Sequence, residues 1–257
     1  MPRTSLPDKN LTEFPVPTIG SDEFRENQKL PYREIVGVLL YIMVVCRPDI
    51  AYATSMLSQF CNNHAKAHWE AAKRTLRYLL HTKDIGIFMP QDPRGDDVFF
   101  KIRVETDASY AACKITRRSH TGTIWYINNV PVMWKSNRQT VVALHACESE
   151  YIAIADAVRE CKFLRMLLTD FGVEVGTLRT TSQCLNDNEA AIILGKEPAL
   201  RKRTRHIDVR LHFVQEEIEE KRTTLEWIST VELSADSLTK SLAADKLEYL
   251  RAKYLSR

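Results

Sequence analysis

The chain has 257 residues, 44% of them hydrophobic, enough for one large domain or two small ones with a real core, which argues against a disordered protein. Its 36 basic and 33 acidic residues leave a net charge of +3, which permits nucleic-acid binding without demanding it. Six cysteines (Cys46, Cys61, Cys113, Cys147, Cys161 and Cys184) stand far apart with no C-x-x-C pair, arguing against a zinc module and a disulfide scaffold.

That cysteine usage points to a reducing compartment, so an intracellular, cytoplasmic location is expected, with a virus-like particle or the nucleus as alternatives. No basic-then-apolar leader opens the sequence. The longest apolar run, Ile35 to Cys46, is closed by Arg47 and is shorter than the ~20 residues a bilayer requires. It is expected to be a buried helix, and no membrane partner is expected.

Residues 1–29 are polar and broken by Pro2, Pro7, Pro15 and Pro17, which predicts a flexible arm with no fold of its own. Residues 30–90 turn helical. IVGVLLYIMVV, IAYATSMLSQF after the break at Pro48, and HWEAAKRTLRYLL predict three helices with short links. The turn formers from Met89 to Asp97 mark the candidate boundary to a second domain over residues 98–245, followed by a helical tail over 246–257.

In the second domain VFFKIRVET, GTIWYI and VPVMWK predict an antiparallel meander that turns at Asn128-Asn129. Glu148 through Phe171 carries Tyr151, Ile154, Val158, Cys161, Leu164 and Leu168 as one apolar stripe, ended by Gly172. TTSQCLND follows as a strand, NEAAIILG and RHIDVRLHFVQEEIEEK as helices, TTLEWIS as a strand, and ADSLTKSLAADKLEYLRAKYL as a closing helix. The order βββαβααβα implies a mixed α/β fold with helices on a five-stranded sheet, preceded by the small helical subdomain.

Four acids occupy the places where such a fold collects side chains. Asp107 ends the first strand, Glu150 lies in the first turn of the long helix, Asp187 ends the fourth strand and Asp236 opens the last helix. Carboxylates gathered at one point repel each other unless divalent metal offsets the cost, and Mg²⁺ prefers carboxylate oxygen to His or Cys. Hydrolysis of a phosphodiester with two ions suits that set. Taken singly, each acid is more often a cap or a solvated surface residue.

ETDASYA, RRSHTGTIWYI, MWKSNRQTVVALHACESEYIAIADAVRECKFLRMLL, LNDNEAAIIL, KRTRHIDVRLHFVQEEI and ADSLTK together resemble the ribonuclease H domain of copia-type LTR retrotransposon Pol polyproteins. Upstream, LPYREIVGVLLYIMVVCRPDIAYATSMLSQF and HWEAAKRTLRYLLHTKDIGI are similar to the end of that family's reverse transcriptase. The resemblance covers roughly residues 30–245, with the motifs in the family's order. It implies a ribonuclease H-like sheet fold, two Mg²⁺ or Mn²⁺ ions held by Asp107, Glu150, Asp187 and Asp236, and cleavage of the RNA strand of an RNA–DNA hybrid. Glu148 competes with Glu150 for the second position. The implied partners are the hybrid and polymerase subdomains of a longer polyprotein, with no small-molecule cofactor.

The sequence departs from the family in two places beside the site: Asn186 replaces a usual Cys, and His145-Ala146-Cys147 replaces small hydroxyl residues. Both could weaken it. Gly95-Asp96-Asp97 resembles a polymerase Asp pair, but in a turn-rich linker no polymerase activity is expected. His206, Asp208 and His212 do not share one helix face, so a metal role is not expected there. Arg201, Lys202, Arg203 and Arg205 are candidates for phosphate contact, with Arg117, Arg118, Lys135 and Arg138, and with Lys114, as weaker ones. Trp125, Tyr126 and Trp134 alternate on predicted strands and are expected in the core. The rival to an enzyme is a catalytically inactive nucleic-acid-binding relic or host-adopted module with the same fold.

Overall fold

A computed structural model describes residues 6–7, 11–89, 100–173, 178–196 and 208–256 of the chain. Five strands form one sheet in the order β3-β2-β1-β4-β5: β1 (Phe100–Ser109), β2 (His120–Ile127), β3 (Val130–Arg138), β4 (Leu178–Asn186) and β5 (Thr223–Trp227). The first three make the antiparallel meander, through a turn in which Asn128 and Asn129 both take positive φ. β4 lies parallel to β1, and β5 parallel to β4. The mixed five-stranded sheet with flanking helices is therefore the architecture expected from the sequence.

Helices α1 (Asp22–Gln28), α2 (Tyr32–Val45), α3 (Ala51–Ser58) and α4 (Lys66–His81) precede the sheet. After the meander come α5 (Ala146–Asp170), α6 (Glu189–Lys196), α7 (Asp208–Glu219) and, near the end, α8 (Ala244–Arg251). The long α5 lays its stripe of Tyr151, Ile154, Val158, Cys161 and Leu164 on Ile102, Val104 and Trp125 of the sheet, and all eight are buried. Gly172 takes φ +83 just beyond its end, a left-handed position that favours glycine.

A second apolar core lies among the first four helices, built on Tyr32, Val36, Leu39, Ile50, Leu57 and Ala72. Two readings of the sequence change here. The stretch expected to be an arm without structure contributes Leu11, which is buried in that core, and the helix α1. The Ser21 side chain accepts from the Phe24 N–H, and Asp22 and Glu23 complement the helix dipole, so this helix starts as an N-cap requires.

The second change concerns ADSLTKSLAADKLEYLRAKYL, which is a turn of 3-10 helix over Ser234–Leu238 and then the separate α8, not one helix. Hydroxyl groups bond locally to backbone there, Ser237 to the Ser234 carbonyl at 2.7 Å and Thr239 to the Asp236 carbonyl at 3.1 Å, in competition with helical bonding. Asp236 therefore does not open an α-helix. The boundary stretch, apart from Met89, and Gly95-Asp96-Asp97 within it, lie outside the described residues.

The helical part and the sheet share a third core of Ala51, Ile124, Tyr126, Leu238, Tyr254 and Leu255. Trp125, the neighbour of Ile124 and Tyr126, points instead to α5, as strand alternation dictates. Trp134 donates its indole N–H to the Met43 carbonyl at 2.8 Å. Leu247 of α8 inserts into the helical core, and Gly86 pairs with Ser256, so the last residues close on the helices.

Gly122 sets how closely the Ser234–Leu238 turn approaches the sheet. A Cβ there would lie 2.7 Å from the Leu238 Cβ, 2.7 Å from the Thr239 Cγ2 and 2.8 Å from the Ala235 carbonyl oxygen. Such contacts force the turn outward. Gly122→Ala is expected to cost about 1–3 kcal/mol of stability, as overpacked sites do, and to show in a urea titration as an earlier midpoint with unchanged slope.

Candidate metal centre

The last β1–β4 pair in register is Glu105 with Leu185. Two residues further along each parallel strand stand Asp107 and Asp187, so the pairing that builds the sheet also brings these acids level at neighbouring strand ends. β1 itself runs on to Ser109, pairing Asp107 with Gly122, so Asp107 lies inside the strand rather than ending it. Glu150 arrives from the first turns of α5. The side chains of Asp107, Glu150 and Asp187 each offer an oxygen, and the three oxygens lie within 4.8 Å of one another.

Asp107 and Glu150 are buried, 4% and 7% exposed. Glu148 is placed differently: its Oε2 accepts the Leu144 N–H at 2.7 Å in the loop before α5. Asn186 is 1% exposed, and its amide donates to Glu150 Oε2 at 2.9 Å and to the Thr106 carbonyl at 2.9 Å. Its Oδ1 accepts the Asn188 N–H at 2.9 Å. The departure at Asn186, expected to weaken the site, thus ties β4 to β1 and fixes Glu150.

Asp236 sits apart from the cluster of three. It is fully buried in its 3-10 turn, with Lys240 on Oδ1 and Lys246 on Oδ2, the latter at 2.5 Å. Its charge is still felt at Asp107. Thr239, in the same turn, donates its hydroxyl to Asp107 Oδ2. The turn is anchored at its start by Glu105, whose Oε2 accepts the Ser234 N–H at 2.6 Å. Thr239, Glu105, Lys240, Lys246 and Gly122 all shape the site through space and were not singled out from the sequence.

Burial pushes up the proton affinity of the Asp107 carboxyl, the hydroxyl of Thr239 and the ammonium of Lys240 oppose this, and the charges of Asp236 and Asp187 reinforce it. Glu150 is raised by burial, then by the Asp107 charge, with the Asn186 amide opposing. All-carboxylate oxygen donors, crowded and desolvated, fit a hard divalent cation such as Mg²⁺ or Mn²⁺. The structure thus shows a trio that could hold a metal ion.

Groups raised in the folded state add stability that is fully present below their unfolded values, about pH 4, and is lost as pH rises through the raised ones. The metal-free chain should therefore lose melting temperature from about pH 4 through neutrality. Mg²⁺ should restore it more at pH 8 than at pH 5. Thermal melts across that range with and without the ion check both signs.

Of the basic candidates, Arg201, Lys202, Arg203 and Arg205 lie outside the described residues. Arg117 is exposed in the loop between β1 and β2, where Arg118 is half-buried, and Lys114 is exposed in the same loop. The row Asp107–Gly122–Ser136 crosses three strands, so Ser136 shares the face of Asp107 and its hydroxyl reaches the Leu238 carbonyl at 2.7 Å. Lys135, its neighbour, points to the opposite face, while Arg138 shares the face and donates to Gln59 Oε1 at 3.1 Å. Trp125 and Tyr126 are buried as expected, and Trp134 is partly so. Trp227, by contrast, is 56% exposed, with its indole N–H bonded to the Asp187 carbonyl at 3.1 Å.

No family model matches the chain. It is 37% identical over 221 residues to the retrovirus-related Pol polyprotein from transposon TNT 1-94 of Nicotiana tabacum, covering 86% of this chain and 16% of that protein. It is also 31% identical over 245 residues to the Pol polyprotein from transposon RE2 of Arabidopsis thaliana, covering 94% of this chain and 16% of the relative. The chain belongs to the copia-type retrotransposon Pol polyproteins. It spans about one sixth of the length of these two relatives. Among solved structures it is similar to the N-terminal RNase H domain of rv2228c from Mycobacterium tuberculosis, at 14% identity and a TM-score of 0.36 over 60% of this chain and 97% of that one.

Proposed function

We propose that this Pol segment is a metal-dependent endonuclease of the ribonuclease H type that hydrolyses the RNA strand of RNA–DNA hybrids with two divalent cations, Mg²⁺ or Mn²⁺. The observation that carries the reading is the convergence of Asp107 in β1, Glu150 in the first turns of α5 and Asp187 just past β4. When bound, the cations polarise the phosphodiester and acidify the attacking water. Water oxygen then bonds to phosphorus, the bond to the ribose 3′ oxygen breaks, and that oxygen leaves with a proton, giving 3′-hydroxyl and 5′-phosphate ends.

The chain's own residues supply position and charge. Asp107, Glu150 and Asp187 would hold the cations, and Asp236 would join them as a fourth ligand once its carboxylate is free. Thr239 fixes Asp107 and Asn186 fixes Glu150, so two ligand rotamers are set before any ion arrives. Glu150, whose proton affinity burial raises, would have to give up its proton to serve as a ligand. Arg117 and Arg118, with the basic run Arg201, Lys202, Arg203 and Arg205, are assigned to the phosphate backbone. Arg138 shares the face of Asp107 and joins them, while Lys135 on the far face does not.

The test is a hybrid labelled on its RNA strand, incubated with the purified chain and Mg²⁺ or Mn²⁺. Shortened RNA with 3′-hydroxyl ends and intact DNA is the expected result, and binding should weaken steeply as salt rises. A folded chain that binds the hybrid and leaves the RNA whole with either ion overturns the enzyme and leaves the inactive module.

A further inference from the structure

Asp236 is wholly buried, yet both of its oxygens are already served. Lys240 reaches Oδ1 from four residues along, and Lys246 reaches Oδ2 at 2.5 Å from α8. The side chains of these lysines are 44% and 36% exposed, so each ammonium sits at the end of a stem that starts at the surface. Lys240 also lies close enough to Asp107 and Asp187 for their charges to act on it. The ammonium that pairs with the fourth acid thus also lies in the field of two of the other three.

We propose that Lys240 and Lys246 are built-in counter-ions that close Asp236 to cations, so that the chain without nucleic acid takes up one divalent ion at Asp107, Glu150 and Asp187 and not two. The inference rests on the reading of that trio as a metal site. Charge balance supports it: four carboxylates carry four negative charges, and two ammonium groups with one dication cancel them. A second dication would leave two uncompensated positive charges in a desolvated pocket if both lysines stayed, and otherwise would have to displace the Lys240 ion pair and the hydrogen-bonded Lys246 ammonium. Asp236 becomes a ligand only when the ammonium groups give it up. Mg²⁺ or Mn²⁺ occupancy is then set by two lysines as much as by four acids.

The experiment counts bound Mn²⁺ on the full chain without nucleic acid, from the electron-paramagnetic-resonance signal of the free ion during a titration. Wild type should saturate at one ion per chain, and Lys240→Gln with Lys246→Gln at two, the second binding at least tenfold tighter than any further binding to wild type. Lys240→Arg keeps the charge and should stay at one, which separates charge from side-chain loss. Near-ultraviolet circular dichroism reports that each variant is folded, and Lys240→Gln alone serves if the double variant is not. Two ions on wild type, or one on both glutamine variants, overturns the counter-ion role while leaving the metal site intact. No Mn²⁺ on wild type would instead remove the metal site itself, and the inference with it.

Discussion

Asp107→Asn is expected to abolish hybrid cleavage while making the metal-free chain more stable. The carboxylate lies in the strand that pairs with both β2 and β4, accepts from Thr239, and meets Glu150 and Asp187 within ligand distance. An amide keeps the shape and the Thr239 hydroxyl as a partner but removes the anionic donor. Metal polarisation supplies several kcal/mol of transition-state stabilisation. Its loss corresponds to a rate drop on the order of 10³-fold or more.

The stability change runs the other way because Asp107 is destabilised in its charged form by burial and by neighbouring acids. Removing that charge at pH 8 relieves Glu150 as well, since the Asp107 charge acts on it. For a chain of this size each kcal/mol is worth about 2–4 °C in melting temperature. A rise of a few degrees without metal, and a smaller response to added Mg²⁺, would show that the site stores repulsion which cations relieve. A fall in melting temperature would mean that Asp107 is held for its structural hydrogen bond.

Asp49→Ala should cause the largest loss of stability. Asp49, 1% exposed, accepts Arg47 Nε at 2.8 Å and Nη2 at 2.7 Å, and the Tyr78 hydroxyl at 2.6 Å. Arg251 of α8 donates to the same Tyr78 oxygen at 2.8 Å. Truncation leaves the Arg47 guanidinium buried without its anion, a loss of about 3–5 kcal/mol. Denaturant titration measures it.

The damage should also reach the acidic cluster, because α8 carries both Arg251, on Tyr78, and Lys246, on Asp236. Tyr254, just past α8, bonds to Ser237 in the turn that holds Asp236. The helical part and the sheet therefore act on one another through this segment. Asp49→Asn retains an acceptor and should lose less on both counts. Equal losses for Ala and Asn would show that charge, and not the unpaired guanidinium, sets the effect.

Much of the fold was legible because its elements obey the two periods a sequence can show. The meander's β2 sends successive side chains to two covered faces, Trp125 to α5 and Ile124 and Tyr126 to the third core, and α5 repeats its apolar residues at helical spacing over a single stripe. Asp107, Glu150 and Asp187 were legible for a related reason: each stands near the junction of a predicted element with its neighbour, although Asp107 proves to lie two residues inside its strand. Which of two glutamates turns inward was left open by the sequence. It is decided by the Leu144 N–H, which holds Glu148 in the loop before α5, and by Asn186, which reaches Glu150 from 36 residues along the chain, a distance no local pattern encodes.

The surroundings of Asp236 were illegible for a different reason. ADSLTKSLAADK has helical composition, but Ser237 and Thr239 bond back to nearby carbonyls, and the chain takes a 3-10 turn. Lys240 and Lys246 then look like ordinary surface lysines until the turn is docked on Gly122. Conversely, the prolines before residue 20 outweighed a legible cap at Ser21, with Asp22 and Glu23 behind it, and hid the helix α1.

The most direct measurement is anomalous diffraction from crystals of the chain grown with Mn²⁺. The account predicts a peak bound by Asp107, Glu150 and Asp187, with oxygen distances near those of a hard divalent ion. Crystals that contain Mn²⁺ elsewhere but show no peak among those three carboxylates would contradict it.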